Sequence, residues 1–156
     1  MICDKQTNKV FLSKGLMHYG RVLERILAHL SGWEITTNFL PLADSRKHIW
    51  ARDYMPIQLE KDRFLLYRYT PDYLKGFEDF IPDYRAICKE LQLECVTTDI
   101  VMDGGNVVKC GDKVIMTDKI VYENPGRFYR DILSELENHF QAQVVLIPWD
   151  KYEKYG

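Results

Sequence analysis

At 156 residues the chain is long enough for one domain with a sizeable core and too short for several. Its 21 basic and 23 acidic residues are interleaved to a net charge of −2, which leaves no basic stripe for nucleic acid and no polybasic run for a lipid surface. No apolar run approaches the ~20 residues of a membrane span, and the opening Met-Ile-Cys-Asp-Lys lacks the pattern of an export signal, so a cytoplasmic protein is expected.

In chain order, Val10 to Leu12 reads as a short strand. Leu16 to Leu30 reads as a helix whose apolar stripe is Tyr19, Val22, Leu23, Ile26, Leu27 and Leu30, and Trp33 to Asn38 as a closing strand. A hairpin follows, Tyr54 to Leu59 and Phe64 to Tyr69 around the turn Glu60-Lys61-Asp62. After a loop punctuated by Pro71, Gly76 and Pro82 comes a helix from Asp83 to Leu91, with Tyr84, Ile87, Cys88 and Leu91 on one face. Glu94 to Ile100 is the next strand. The order then repeats: strand Asn106 to Lys109, turn Gly111-Asp112, strand Val114 to Thr117. Asn124-Pro125-Gly126 breaks the chain before a helix carrying Tyr129, Ile132, Leu133, Leu136 and Phe140, and Gln143 to Ile147 closes the unit.

Matching elements recur about every fifty residues, so the fold class expected is α/β, built of tandem ββαβ modules at approximately 1–50, 51–100 and 101–156 within a single domain 1–156. The first module lacks its first strand. The alternative is an ordinary α+β sandwich whose spacings coincide by chance.

Two acidic motifs share the same interval. Trp50-Ala51-Arg52-Asp53-Tyr54-Met55-Pro56 and Asp103-Gly104-Gly105-Asn106 place Asp53 and Asp103 fifty residues apart, each ahead of an expected strand. A carboxylate beside an aromatic wall suits a planar cation, since it accepts two parallel N–H bonds while the ring face attracts charge. Paired glycines let a backbone approach a ligand closely. Structural alternatives remain: Arg52-Asp53 as a surface pair of little worth, Trp50 as core, and Asp103-Gly104 as a turn.

Together these motifs resemble those of the guanidine-modifying deiminases, above all the agmatine deiminases and bacterial peptidylarginine-deiminase-like proteins, with their Trp-x-Arg-Asp-x-x-Pro and acidic-Gly-Gly-Asn signatures. The resemblance implies a pentein fold, a five-bladed α/β propeller of which this chain is an N-terminal fragment of about three modules. It implies a hydrolase that converts a guanidinium group to a ureido group with release of ammonia, through attack of a cysteine thiolate on the guanidinium carbon. By resemblance Asp53 grips the guanidinium, Trp50 lines the substrate channel, and Asp103 supports the catalytic histidine. Arg52, Gly104, Gly105 and Asn106 join the substrate-binding set. The partner implied is a small-molecule or peptide guanidinium, such as agmatine or arginine, with agmatine versus peptidyl-arginine left open and putrescine and polyamine metabolism as the setting. No cofactor and no metal is implied.

The family's His-x-Asp motif and late nucleophilic cysteine have no counterpart. His18, His29, His48 and His139 are not followed by x-Asp, and Cys3, Cys88, Cys95 and Cys110 lack both metal-ligand spacing and a terminal glycine-rich setting, reading instead as reduced thiols packed as small hydrophobes. The expected product is a fragment inactive on its own. A non-catalytic guanidinium-binding or interaction module is the competing reading. Open module edges lead to the expectation of a homodimer.

Overall fold

The computed structural model describes residues 6–150 and is a mixed α/β structure with three small sheets. Strands β1 (Lys9–Ser13) and β2 (Thr36–Leu40) pair in parallel across helix α1 (Gly20–Gly32). The expected helix start at Leu16 falls instead in a 3-10 turn, Lys14–Tyr19. Gly15 causes this tightening: its N–H is capped by Ser13 Oγ, and a Cβ there would meet the Ser45 carbonyl at 2.2 Å. The apolar stripe of α1 exists, but it covers only two strands, so none of its residues is fully buried and Val22 remains exposed.

The second and third sheets have the same order and sense. In one, β4 (Arg63–Arg68) lies between β3 (Ile57–Gln58), antiparallel, and β5 (Glu94–Val101), parallel. In the other, β7 (Lys113–Thr117) lies between β6 (Val108–Cys110), antiparallel, and β8 (Gln143–Ile147), parallel. Helices α3 (Tyr84–Glu90) and α5 (Tyr129–Phe140) make the crossovers. Parallel neighbours require such a return, which is why turn-linked hairpins alternate with helices.

The turns from helix to closing strand share one backbone device. Glu34, Gln92 and Gln141 each adopt positive φ, at 57°, 54° and 49°, two residues before β2, β5 and β8 respectively. A left-handed residue reverses the chain at a helix C-terminus and usually is glycine. None of these three is, so the sequence carried no turn signal there.

Strand starts also differ from the sequence reading. Tyr54 belongs not to a strand but to a helical turn, α2 (Ala51–Tyr54), which shortens β3 to two residues; Pro56 cannot donate to a ladder. Asn106 likewise closes a 3-10 turn, Gly104–Asn106, and β6 begins at Val108. A further short helix, α4 (Lys119–Glu123), follows β7. Cys110 is exposed at the end of β6, whereas Cys88 is buried as expected; Cys3 lies outside the described residues.

One apolar core runs from Leu40 to Val144, with Leu65, Ile87, Ile100, Val114, Ile132 and Leu136 wholly enclosed. Polar clamps join the second and third sheets. Asn124 accepts from Val101 N–H and donates to the Val101 and Ile120 carbonyls, while Thr98 on β5 donates to Glu135 on α5. Because Leu136 is fully enclosed, Leu136→Ala is expected to lower unfolding stability by about 2–5 kcal/mol, read as a shift in the denaturation midpoint. A loss below about 0.5 kcal/mol would mean that α5 is not seated on this core.

Candidate functional site

The two acidic motifs, fifty residues apart in sequence, are bound together in space. Arg52 donates from Nε to the Gly104 carbonyl at 3.1 Å and from an Nη to the Val107 carbonyl at 2.9 Å. The turn opposite must come very close. A Cβ on Gly104 would meet the Arg52 carbonyl at 2.1 Å, and one on Gly105 would meet the Asp53 Oδ1 at 2.4 Å. The paired glycines are therefore required by contact with the first motif. Buried Tyr67 completes the seat, its hydroxyl directed at the Asp53 and Met55 carbonyls at 2.5 and 2.9 Å.

Asp53 opens into a cavity of about 430 Å³ lined by Lys47, Trp50, Asp53, Tyr54, Tyr69, Tyr73, Leu74 and Phe80. Trp50 stands 66% exposed beside it. The Tyr69 hydroxyl lies 3.3 Å from that of Tyr73, and Tyr54 and Tyr69 pack with ring centroids 6.2 Å apart. Burial pushes Tyr54 and Tyr69 up to about 12, so both walls stay neutral near pH 7. Burial, reinforced by the charge of Asp103, also raises Asp53 above the usual carboxylate range, against the pull of Gly105 N–H, Lys119 and Arg52. A carboxylate in the lining of an aromatic cavity favours an incoming cation.

Asp103 lies behind this cavity rather than on its lining. Its Oδ2 accepts from Lys119 Nζ at 2.8 Å, while its buried Oδ1 has no hydrogen-bond partner among the described residues. The same ammonium reaches Glu123 at 3.0 Å and lies 4.6 Å from the ring centroid of Tyr73. Burial alone would lower the pKa of Lys119, but the hydrogen bonds and charges of Asp103 and Glu123 raise it overall. One cation thus serves two enclosed carboxylates. Burial and the Asp103 charge push Glu123 up to about 7 despite Lys119.

The structure thus brings Trp50 and Asp53 into one cavity. It commits the Arg52 donors to backbone, packs Gly104 and Gly105 behind Asp53, and uses Asn106 to bridge the Thr117 backbone through Nδ2 and Oδ1. Sequence reasoning missed Lys119, Tyr69, Tyr73 and Phe80. Lys119 sits in a five-residue helix too short to show periodicity, and the aromatics are scattered over the loop after β4 and two 3-10 turns. No described cysteine lines the cavity, and no group of three or more His, Cys, Asp or Glu among the described residues is arranged to hold a metal ion.

The raised Glu123 makes a pH test. Its folded value of about 7 exceeds the ordinary 4.5, so its contribution to stability is fully present below about 4.5 and is lost as pH rises through about 7. Glu123→Gln is expected to flatten this part of the stability profile relative to the parent chain, measured by urea unfolding between about pH 5 and about pH 8. Parallel profiles for the two proteins would place Glu123 in solvent.

No protein-family model matches the chain, and no curated protein is similar to it in sequence. In structure it is similar to an agmatine deiminase from C. jejuni, with a TM-score of 0.57 and 15% identity over 91% of this chain and 52% of that one. It is also similar to DDAH from Pseudomonas aeruginosa complexed with citrulline, with a TM-score of 0.59 and 11% identity over 93% and 62%. An arginine dihydrolase of the ornithine-ammonia cycle in cyanobacteria matches with a TM-score of 0.61 and 9% identity over 96% and 23%. The chain shares the mixed α/β fold of the matching parts of these proteins and spans between about a quarter and two thirds of their length.

Proposed function

We propose that the chain is the guanidinium-gripping part of an agmatine deiminase-like or peptidylarginine deiminase-like hydrolase, its three sheets being three modules of a five-module ring. The observation that carries this reading is Asp53, a carboxylate in the lining of a largely aromatic cavity beside Trp50. A guanidinium placed there would be held by carboxylate oxygens and flanked by the Trp50 and Tyr73 rings. The unpartnered Oδ1 of Asp103 suits an imidazole N–H, consistent with a role in supporting a histidine from elsewhere in the whole protein.

The reaction needs a thiolate to attack the guanidinium carbon, expelling ammonia and leaving a thiouronium that water resolves to the ureido product and free thiol. Burial pushes the Cys88 thiol up to about 12, and neither Cys95 nor Cys110 lines the cavity. In this reading the chain alone binds but does not turn over. It acts in the cytoplasm, within polyamine and putrescine metabolism, and associates as a homodimer through uncovered edges. No described helix is long and apolar enough to cross a membrane. A purely guanidinium-binding module is the second reading, favoured by a cavity lined wholly from residues 47–80.

Calorimetric titration with agmatine tests the first claim. A charge-assisted pair is worth about 1.5–3 kcal/mol, so Asp53→Asn is expected to weaken binding roughly tenfold or more; equal affinities would remove Asp53 from the site. Ammonia release by chain 1–156 is expected to equal the buffer blank. Turnover abolished by Cys110→Ser would instead identify a nucleophile within this chain.

A further inference from the structure

The cavity has two charged lining residues, Asp53 and Lys47. Lys47 belongs to the 3-10 turn Arg46–His48, in which every residue is basic or a histidine. Its ammonium lies 5.0 Å from the ring centroid of Phe80, which also lines the cavity, and forms an ion pair with Asp79. That pair is open to solvent, with side chains 44% and 60% exposed, so it is screened and separates at little cost. The Asp79 backbone carbonyl is in turn within 3.3 Å of His48 Nε2, which fixes the 3-10 turn Glu78–Phe80 against the Arg46–His48 turn.

Resting on the guanidinium reading of Asp53, we propose that Lys47 and Asp79 select the far end of the ligand, and that the site takes a free guanidino α-amino acid in preference to a decarboxylated guanidino amine or an arginine within a peptide. A free amino acid ends in adjacent carboxylate and ammonium groups. These match the Lys47–Asp79 pair with opposite polarity, so one ion pair is exchanged for two without leaving a charge alone. The intervening methylenes lie against Leu74, Phe80 and Trp50. A decarboxylated amine brings only a second cation toward Lys47, Arg46 and His48. A peptidyl arginine brings a neutral tail that gains nothing from either charge.

Calorimetry on chain 1–156 with L-arginine, agmatine and N-acetyl-L-arginine amide separates these cases. Arginine is expected to bind about fivefold more tightly than either of the others. Lys47→Met is expected to remove that preference, and Asp79→Asn to reduce it in part. Both side chains are exposed, so circular dichroism of the variants should match the parent. Agmatine or the acetylated amide binding as tightly as arginine would overturn the tail assignment and leave the Asp53 reading standing. A preference that survives Lys47→Met would overturn it too. Binding by none of the three would overturn the guanidinium reading and this inference together.

Discussion

The contact on which the site depends is the grip of Arg52 on the second acidic turn. Two hydrogen bonds from one planar guanidinium to the carbonyls of Gly104 and Val107 fix the distance and the tilt between segments that are far apart in sequence. Charge assistance makes each bond stronger than a neutral one, and the fork geometry allows little rotation. Everything nearby is built to that spacing. Gly104 and Gly105 lack side chains where the Arg52 backbone and the Asp53 carboxylate pass, and Tyr67 anchors the Asp53 carbonyl from below. A lysine in place of Arg52 would keep the charge and lose the fork.

Charge balance within the site follows from that geometry. Once the turns are locked together, Asp103 is near enough to raise the cost of ionising both Asp53 and Glu123. Lys119 resolves part of this conflict by pairing with Asp103 and Glu123. Asp53 receives only a weaker, longer-range share of that charge. The uneven distribution separates a carboxylate pair held by an internal cation from one that faces an open aromatic cavity. Such a division gives two similar acids different chemical environments.

Much of this was legible in the sequence. Hairpins and crossover helices follow from hydrophobic period and turn residues, and Trp50 and Asp53 were recognisable from their company. Arg52 was not readable as a clamp, because its partners are main-chain atoms more than fifty residues away. The glycine pair was legible as freedom of approach, but what approaches is protein. Lys119 escaped because a five-residue helix has no period to detect and one of its two ion-pair partners, Asp103, lies sixteen residues upstream. The left-handed Glu34, Gln92 and Gln141 escaped because no glycine advertised them.

Every side chain that lines the cavity comes from residues 47–80, while the turn that Arg52 grips, the internal lysine and the third sheet lie elsewhere. The lining is therefore written in one stretch of chain, and much of what braces it from behind in another. Drift within that one segment can retune what is bound while the supporting sheets stay under their own packing constraints, and grafting it onto a sister scaffold would carry selectivity with it as a cassette.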